Sequence, residues 1–229
     1  MIFTASTGSA AAKLHAGTIN SLLHLGRSKD FCEITDDFAT PQIQRKILAK
    51  LEGIDVLVVD EVSMVTPVTL RRTDARLRQC LNPDKPFGGI HVILVGDMWQ
   101  FEPVSKGLRK TALYQGMVLM ARNRRLPPGD AYRTGINIFS NFSLFVLKGQ
   151  QRATTKFGQF LKTLRDTDQK RSIDEDWIRK LPVLTRNDIE NDDEWRFATI
   201  ATTGNVERMK IIEYQAKRFG KAKNEPILN

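Results

Sequence analysis

Two adjacent acids, Asp60 and Glu61, close an apolar run that reads D-V-L-V-V-D-E-V-S-M from Asp55 to Met64. Paired carboxylates at such a point can divide the work of nucleotide hydrolysis. One holds a magnesium ion, and the other orients or deprotonates the attacking water. A second apolar run, His91 to Val95, ends in Gly96-Asp97 and continues M-W-Q-F-E-P-V. Gln100 in that continuation carries an amide that can donate to a phosphate oxygen and accept from a water. Plainer alternatives stay open at this point: an acid pair can be a strand meeting solvent, and Gln100 an ordinary loop residue.

Such chemistry needs elements that bring both run ends to one edge. Val56 to Val59 is apolar throughout, the pattern of a strand buried on both faces of a parallel sheet, and Ile90 to Val95 is a second candidate of that kind. Open α/β sheets bind ligands outside the carboxyl ends of their strands, which is where the acids fall. Met1 to Ala5 reads as a short strand, and Gly8 to Leu25 is helix-compatible. Gln42 to Leu51 reads as an amphipathic helix, and Arg27 to Pro41 as loop. Thr66-Pro67 is an N-cap followed by a first-turn proline, opening a helix to Leu81 with Leu70, Leu77 and Leu81 at helical spacing. Asn82 to Gly89 is a loop by composition, Arg122 to Gly129 a basic connector, and Phe142 to Leu147 a third candidate strand. Beyond Gln150 the chain is more charged. Phe157 to Arg165, Asp174 to Leu181 and Asn205 to Arg218 read as helices, and Arg196 to Ile200 as a strand. Strands alternating with helical segments predict an α/β fold, a parallel sheet flanked by helices. A domain boundary is expected near residue 150, giving domains 1–150 and 151–229.

The 229 residues are 41% hydrophobic and 27% charged, an ordinary globular balance with material for a sizeable core. A formal net charge of +9 favours an anionic partner such as nucleic acid, although a basic surface without a special partner has the same composition. The two cysteines, Cys32 and Cys80, match no zinc spacing and point to a reducing, intracellular compartment. No signal-peptide pattern opens the chain, and the apolar-rich stretch Ile136 to Leu147 is too short and too polar to span a bilayer.

Taken together, V-L-V-V-D-E-V-S-M and P-F-G-G-I-H-V-I-L-V-G-D-M-W-Q-F-E-P-V resemble motifs II and III of the Pif-one-like DNA helicases, members of helicase superfamily one related to the RecD-like enzymes. T-A-S-T-G-S-A-A, Thr4 to Ala11, resembles that family's motif Ia. T-I-N-S, Thr18 to Ser21, resembles its T-I-H-S element, with Asn20 where histidine is usual. L-K-G-Q-Q-R-A, Leu147 to Ala153, resembles motif IV, with Arg152-Ala153 where arginine-glutamine is usual. The match runs over roughly residues 1 to 165 in the family's order.

The resemblance implies a RecA-like P-loop NTPase sheet followed by part of a second RecA-like domain. It implies ATP and Mg²⁺ as cofactors, single-stranded DNA and duplex junctions as partners, and ATP-dependent 5′→3′ unwinding in DNA repair, recombination and telomere maintenance. In a eukaryote it implies the nucleus or the mitochondrion. Residue by residue, Asp60 would help hold magnesium, Glu61 would act on the attacking water, and Gln100 would sense the γ-phosphate. Arg152 would be an arginine finger from the second domain; without the resemblance it reads as a surface arginine. Ser6, Thr7, Gly8 and Asn20 would meet nucleic acid, while Ser6 or Thr7 could equally cap the following helix. Trp99 could stack on a base or pack in the core, and the R-N-R-R run at 122–125 could meet phosphates or solvent.

The chain contains no G-x-x-x-x-G-K-[ST] run, and the family places that P-loop ahead of motif Ia. Motifs V and VI are likewise not recognisable before Asn229. The expectation is the middle of a helicase that by itself binds ATP weakly, hydrolyses little of it, and carries an unpaired sheet edge prone to aggregation. A non-catalytic DNA-binding remnant, or an NTPase that does not unwind DNA, are the alternatives.

Overall fold

The computed structural model describes residues 1–26, 38–103, 112–121, 130–147, 158, 160–161, 179, 183, 185–191, 200, 202 and 204–223. The chain divides into two compact units, Met1–Thr154 and Thr155–Asn229.

In the first unit, strands β1 (Ile2–Ala5), β2 (Val56–Asp60) and β3 (His91–Leu94) form a parallel sheet in the order β1-β2-β3. Ala5 pairs with Asp60 and Val59 with Leu94, so all three strands end at the same level. Leu57, Val58 and Val59 are buried, as an apolar run in a central parallel strand should be. β3 departs from the doubly buried strand expected over Ile90 to Val95. Ile93 is 49% exposed, whereas Val92 and Leu94 pack against the core, and among the described residues β3 bonds only to β2. Strands joined by helices in a parallel sheet make the architecture α/β, in keeping with the RecA-like class.

The α-helices of this unit among the described residues are α1 (Gly8–Lys13), α2 (Ile19–Leu22), α3 (Pro41–Leu51), α4 (Pro67–Cys80), α5 (Leu113–Ala121) and α6 (Asp130–Ser140). The first four begin alike. The hydroxyls of Thr7, Thr18, Thr40 and Thr66 accept the amides of Ala10, Ser21, Ile43 and Thr69, which satisfies one otherwise orphaned donor at each start. Leu23, Ile47, Leu57, Leu70, Leu77 and Leu113 are fully buried in one cluster beneath the sheet and these helices.

Asn82 to Gly89 is more than a loop. Pro86–Gly89 forms a 3-10 turn, and Asp74 in α4 latches it. One carboxylate oxygen of Asp74 accepts the Phe87 amide at 2.6 Å, and the other accepts Arg78 Nε at 2.8 Å. The turn feeds directly into β3.

Phe142 to Leu147, expected as a third strand, is not one. Leu144, Phe145 and Leu147 are each more than 85% exposed, and no described strand lies beside them to take up their backbone groups. Phe142 instead meets the Phe87 ring edge-on, with centroids 5.9 Å apart, and closes the end of α6. The apolar stretch from Ile136 is thus divided between a helix end and an exposed tail.

In the second unit, α7 (Arg186–Asn191) and α8 (Asn205–Lys223) are described. Thr185 donates through both its amide and its hydroxyl to Asp188, at 2.7 Å each, and this holds the Asp188 carboxyl below its usual range. Along α8, Lys217 pairs with Glu213 at 2.5 Å and Arg218 lies over the Tyr214 ring. The helix runs one turn beyond the expected Arg218. The expected helices at 157–165 and 174–181, the strand at 196–200, and the connector at 122–129 lie wholly or mostly outside the described residues. No described helix is long and apolar enough to cross a membrane.

Candidate functional site

The common strand level gathers three segments at the carboxyl edge of the sheet: Ser6–Gly8 after β1, Asp60–Glu61 at the end of β2, and Val95–Asp97 after β3. Asp60 turns one carboxylate oxygen back onto the amide of Glu61 at 2.8 Å, which fixes its rotamer. The other oxygen has no hydrogen-bond partner among the described residues. Glu61 itself sits in the left-handed region, at φ 54° and ψ 48°. For a glutamate that conformation costs about 1–3 kcal/mol and persists only where the surroundings impose it.

Those surroundings are visible on both sides. From β1, the Ser6 amide donates to the Asp60 carbonyl at 3.1 Å and the Ser6 hydroxyl donates to the Glu61 carbonyl at 2.8 Å. From β3, the Val62 amide donates to the Val95 carbonyl at 3.0 Å. Gly96 lies so close that a Cβ there would stand 2.8 Å from the Val62 nitrogen, which is why no side chain fits at this position. The acid pair is thus clamped between the two neighbouring strand ends, and the Glu61 side chain is partly exposed.

The loop after β3 is set by Asp97. Its carboxylate accepts the Trp99 amide at 3.0 Å and its carbonyl accepts the Gln100 amide at 3.0 Å, a compact turn that presents Gln100 to solvent. Trp99 is 68% exposed, which removes the core-packing alternative for its ring.

Among the described residues no three His, Cys, Asp or Glu side chains cluster as a ready-made metal cage. The donor set at the strand end suits magnesium nonetheless. That ion keeps several waters and takes only one or two protein carboxylates, and Asp60 has one oxygen to give.

A family model described as PIF1-like helicase matches residues 1–172. The chain belongs to the PIF1-like helicase family. The curated relative ATP-dependent DNA helicase PIF1 of Saccharomyces cerevisiae is 39% identical over 103 residues, which cover 45% of this chain and 12% of that protein. ATP-dependent DNA helicase Pif1 of Psychrobacter is 38% identical over 102 residues, 44% of this chain and 15% of that one. The chain therefore spans a small part of the curated relatives it matches. Among solved structures, Bacteroides Pif1 bound to ssDNA is 29% identical with a TM-score of 0.41, covering 52% of this chain and 26% of that one. Pif1 helicase from Candida albicans is 20% identical with a TM-score of 0.49, covering 88% and 45%.

The structure brings Ser6, Asp60 and Glu61 into one hydrogen-bonded group and places Gln100 on the adjoining loop. Thr7 caps α1, its hydroxyl 3.3 Å from the Ala10 amide, and Gly8 is exposed with open space around it. Asn20 is exposed on α2, and a bridge between Ala5 and Thr18 sets α2 beside the end of β1. Arg152 and Ala153 lie outside the described residues.

Two features had no reading in the sequence. The first is the Ser6 hydroxyl's attachment to Glu61. The second is the pair of arginines one helical turn apart in α4: Arg76, 3% exposed, donates to the Leu23 carbonyl at 3.3 Å, and Arg72 donates to the Gly26 carbonyl at 3.1 Å. They hold the segment that follows Asn20, so part of the basic composition serves the fold and not a partner.

Proposed function

We propose that this chain supplies core motor elements of an ATP-dependent DNA helicase. In this reading ATP hydrolysis at the Asp60–Glu61 strand end drives 5′→3′ unwinding of DNA, in repair, recombination and telomere maintenance, within the cell and, in a eukaryote, in the nucleus or mitochondrion. The observation that carries it is the common edge: the Ser6–Gly8 turn, the acid pair and the Gly96–Gln100 loop leave three adjacent parallel strands at one level.

Each residue then has a task. The uncommitted oxygen of Asp60 would hold Mg²⁺ through its water shell, and the ion would screen phosphate charge when bound. Glu61 would orient the attacking water and take its proton. Gln100, held by the Asp97 turn, would donate its amide to the γ-phosphate and report its loss. Arg152, near the proposed start of a partial second RecA-like domain, would act as an arginine finger. Single-stranded DNA and duplex junctions would meet Thr7 and Gly8 in the turn after β1, and Asn20, with Trp99 exposed for stacking.

No G-x-x-x-x-G-K-[ST] run occurs in these 229 residues, and that loop's amides and lysine supply most of the phosphate grip. The 229-residue chain is therefore expected to bind a fluorescent oligothymidine while turning over little ATP. A footprint of about three phosphates corresponds to roughly a twentyfold loss of affinity between about 50 and 200 mM salt. Affinity that ignores salt would remove phosphate contacts from the reading, and robust magnesium-dependent ATP turnover would refute the incompleteness. The same missing run favours a second reading, a single-stranded DNA-binding remnant. ATP-dependent unwinding of a forked duplex by the product of the whole open reading frame, lost on Glu61→Gln, would decide for the helicase over the remnant and over an NTPase that does not unwind DNA.

A further inference from the structure

The Ser6 hydroxyl has one proton, and it is given to the Glu61 carbonyl at 2.8 Å. While it is so engaged, Ser6 cannot donate to a nucleic-acid phosphate. Its neighbours differ. Thr7 and Gly8 follow immediately on the same turn, at least partly open to solvent. The Glu61 carbonyl also accepts the Met64 amide at 3.2 Å, and Glu61 holds a left-handed backbone that it would not adopt unaided. The turn proposed to meet DNA and the acid proposed to act on water are therefore joined by one side-chain hydrogen bond between residues 55 positions apart.

We propose that Ser6 is a positioning residue: its hydroxyl pins the left-handed Glu61 from the neighbouring strand end, so that a nucleic-acid strand ordering the Ser6–Gly8 turn also orders the Glu61 peptide. This rests on the reading above that the turn meets nucleic acid. It replaces the phosphate-donor role that sequence resemblance implied for Ser6 by a linking role, and it leaves direct contact to Thr7 and Gly8. The link is reciprocal, since whatever tightens one end must tighten the other.

The test is backbone hydrogen exchange in the full 229-residue chain, read on peptides covering 60–65, with and without oligothymidine, for the native protein, Ser6→Ala and Ser6→Thr. Without oligonucleotide, Ser6→Ala should speed exchange in 60–65 by about fivefold, the effect of one net hydrogen bond, and Ser6→Thr should restore it. Peptides of α5 should not change, which separates a lost clamp from general loosening. Oligothymidine should slow exchange in 60–65 of the native chain. In Ser6→Ala that slowing should vanish while affinity stays within about twofold, because a phosphate donor is not being removed. A drop of tenfold or more in affinity on Ser6→Ala, with 60–65 unchanged, would make Ser6 a phosphate contact and overturn the proposal. Binding by the native chain that leaves 60–65 unaffected would overturn it while sparing the DNA-binding reading. Absence of any binding by the native chain would overturn that reading and the link together, and the unliganded comparison would still decide whether the clamp exists.

Discussion

Removing the Asp74 carboxylate should loosen the strand that leads to Gln100. Asp74 is 8% exposed and serves two donors: the Phe87 amide at 2.6 Å and Arg78 Nε at 2.8 Å. Phe87 is itself buried and sits at φ 50°, a left-handed conformation held by the turn's attachment to α4. In Asp74→Ala the Phe87 N–H loses this acceptor in a place water does not reach, at a cost of about 1–3 kcal/mol. The half-open pairing with Arg78 adds about 0.5 kcal/mol. The sum, about 1.5–3.5 kcal/mol, corresponds to a fall of roughly 3–14 °C in Tm for a chain of this size. Asp74→Asn keeps an oxygen for Phe87 and gives up the charge, so it should lose only about 1 kcal/mol. Urea unfolding followed by far-UV circular dichroism measures both, and hydrogen exchange over His91–Leu94 should rise in the alanine variant before the rest of the sheet responds. A loss under 0.5 kcal/mol for Asp74→Ala, or equal losses for the two variants, would refute the latch: in the second case charge and not the buried amide would be what Asp74 serves.

Gly96→Ala should cost about 2 kcal/mol or more, because the new methyl meets the Val62 backbone and displaces the Val62–Val95 hydrogen bond; unchanged urea midpoints would show that the β2 and β3 ends do not approach as described. Burial pushes the Cys80 thiol up, against a smaller opposing pull from Arg76. A group whose folded value is raised contributes stability below its unfolded value and loses it as pH climbs through the folded one, so this contribution should fade above about pH 8.5. In a Cys32→Ser background, iodoacetamide should accordingly label Cys80 more slowly in the folded chain than in urea at pH 8; equal rates would contradict the burial.

How much of this was legible in the sequence depended on range. Strand β2, the Thr66-Pro67 helix start and the acid pair at the strand end are written in a few neighbouring residues, through periodicity and cap chemistry, and the structure has them where those signals fall. Helix α6 was hidden. D-A-Y-R-T-G-I-N-I-F-S mixes glycine with β-branched and aromatic residues, a poor helix by propensity, and it is packing that makes it one. Gly135 is there because a Cβ would overlap the Pro67 carbonyl of α4. Phe142–Leu147 failed the other way: its apolar residues have strand character, but strand formation needs a partner edge that no run of six residues can specify. Ile93 reads as a core residue by type and is exposed for the related reason that strand order, unlike strand identity, is a long-range property. The site divides along the same line. Asp60 and Glu61 announce their chemistry by type, whereas nothing local marks Glu61 as left-handed, since glycine or asparagine would be the usual signal. That conformation is imposed by Ser6 and Val95 from strands distant in sequence. The placement of the Glu61 carboxylate is thus decided by residues that no motif centred on the acid pair contains. Variants at Ser6 and Gly96 should therefore disturb the acid pair's backbone while leaving both acids in place.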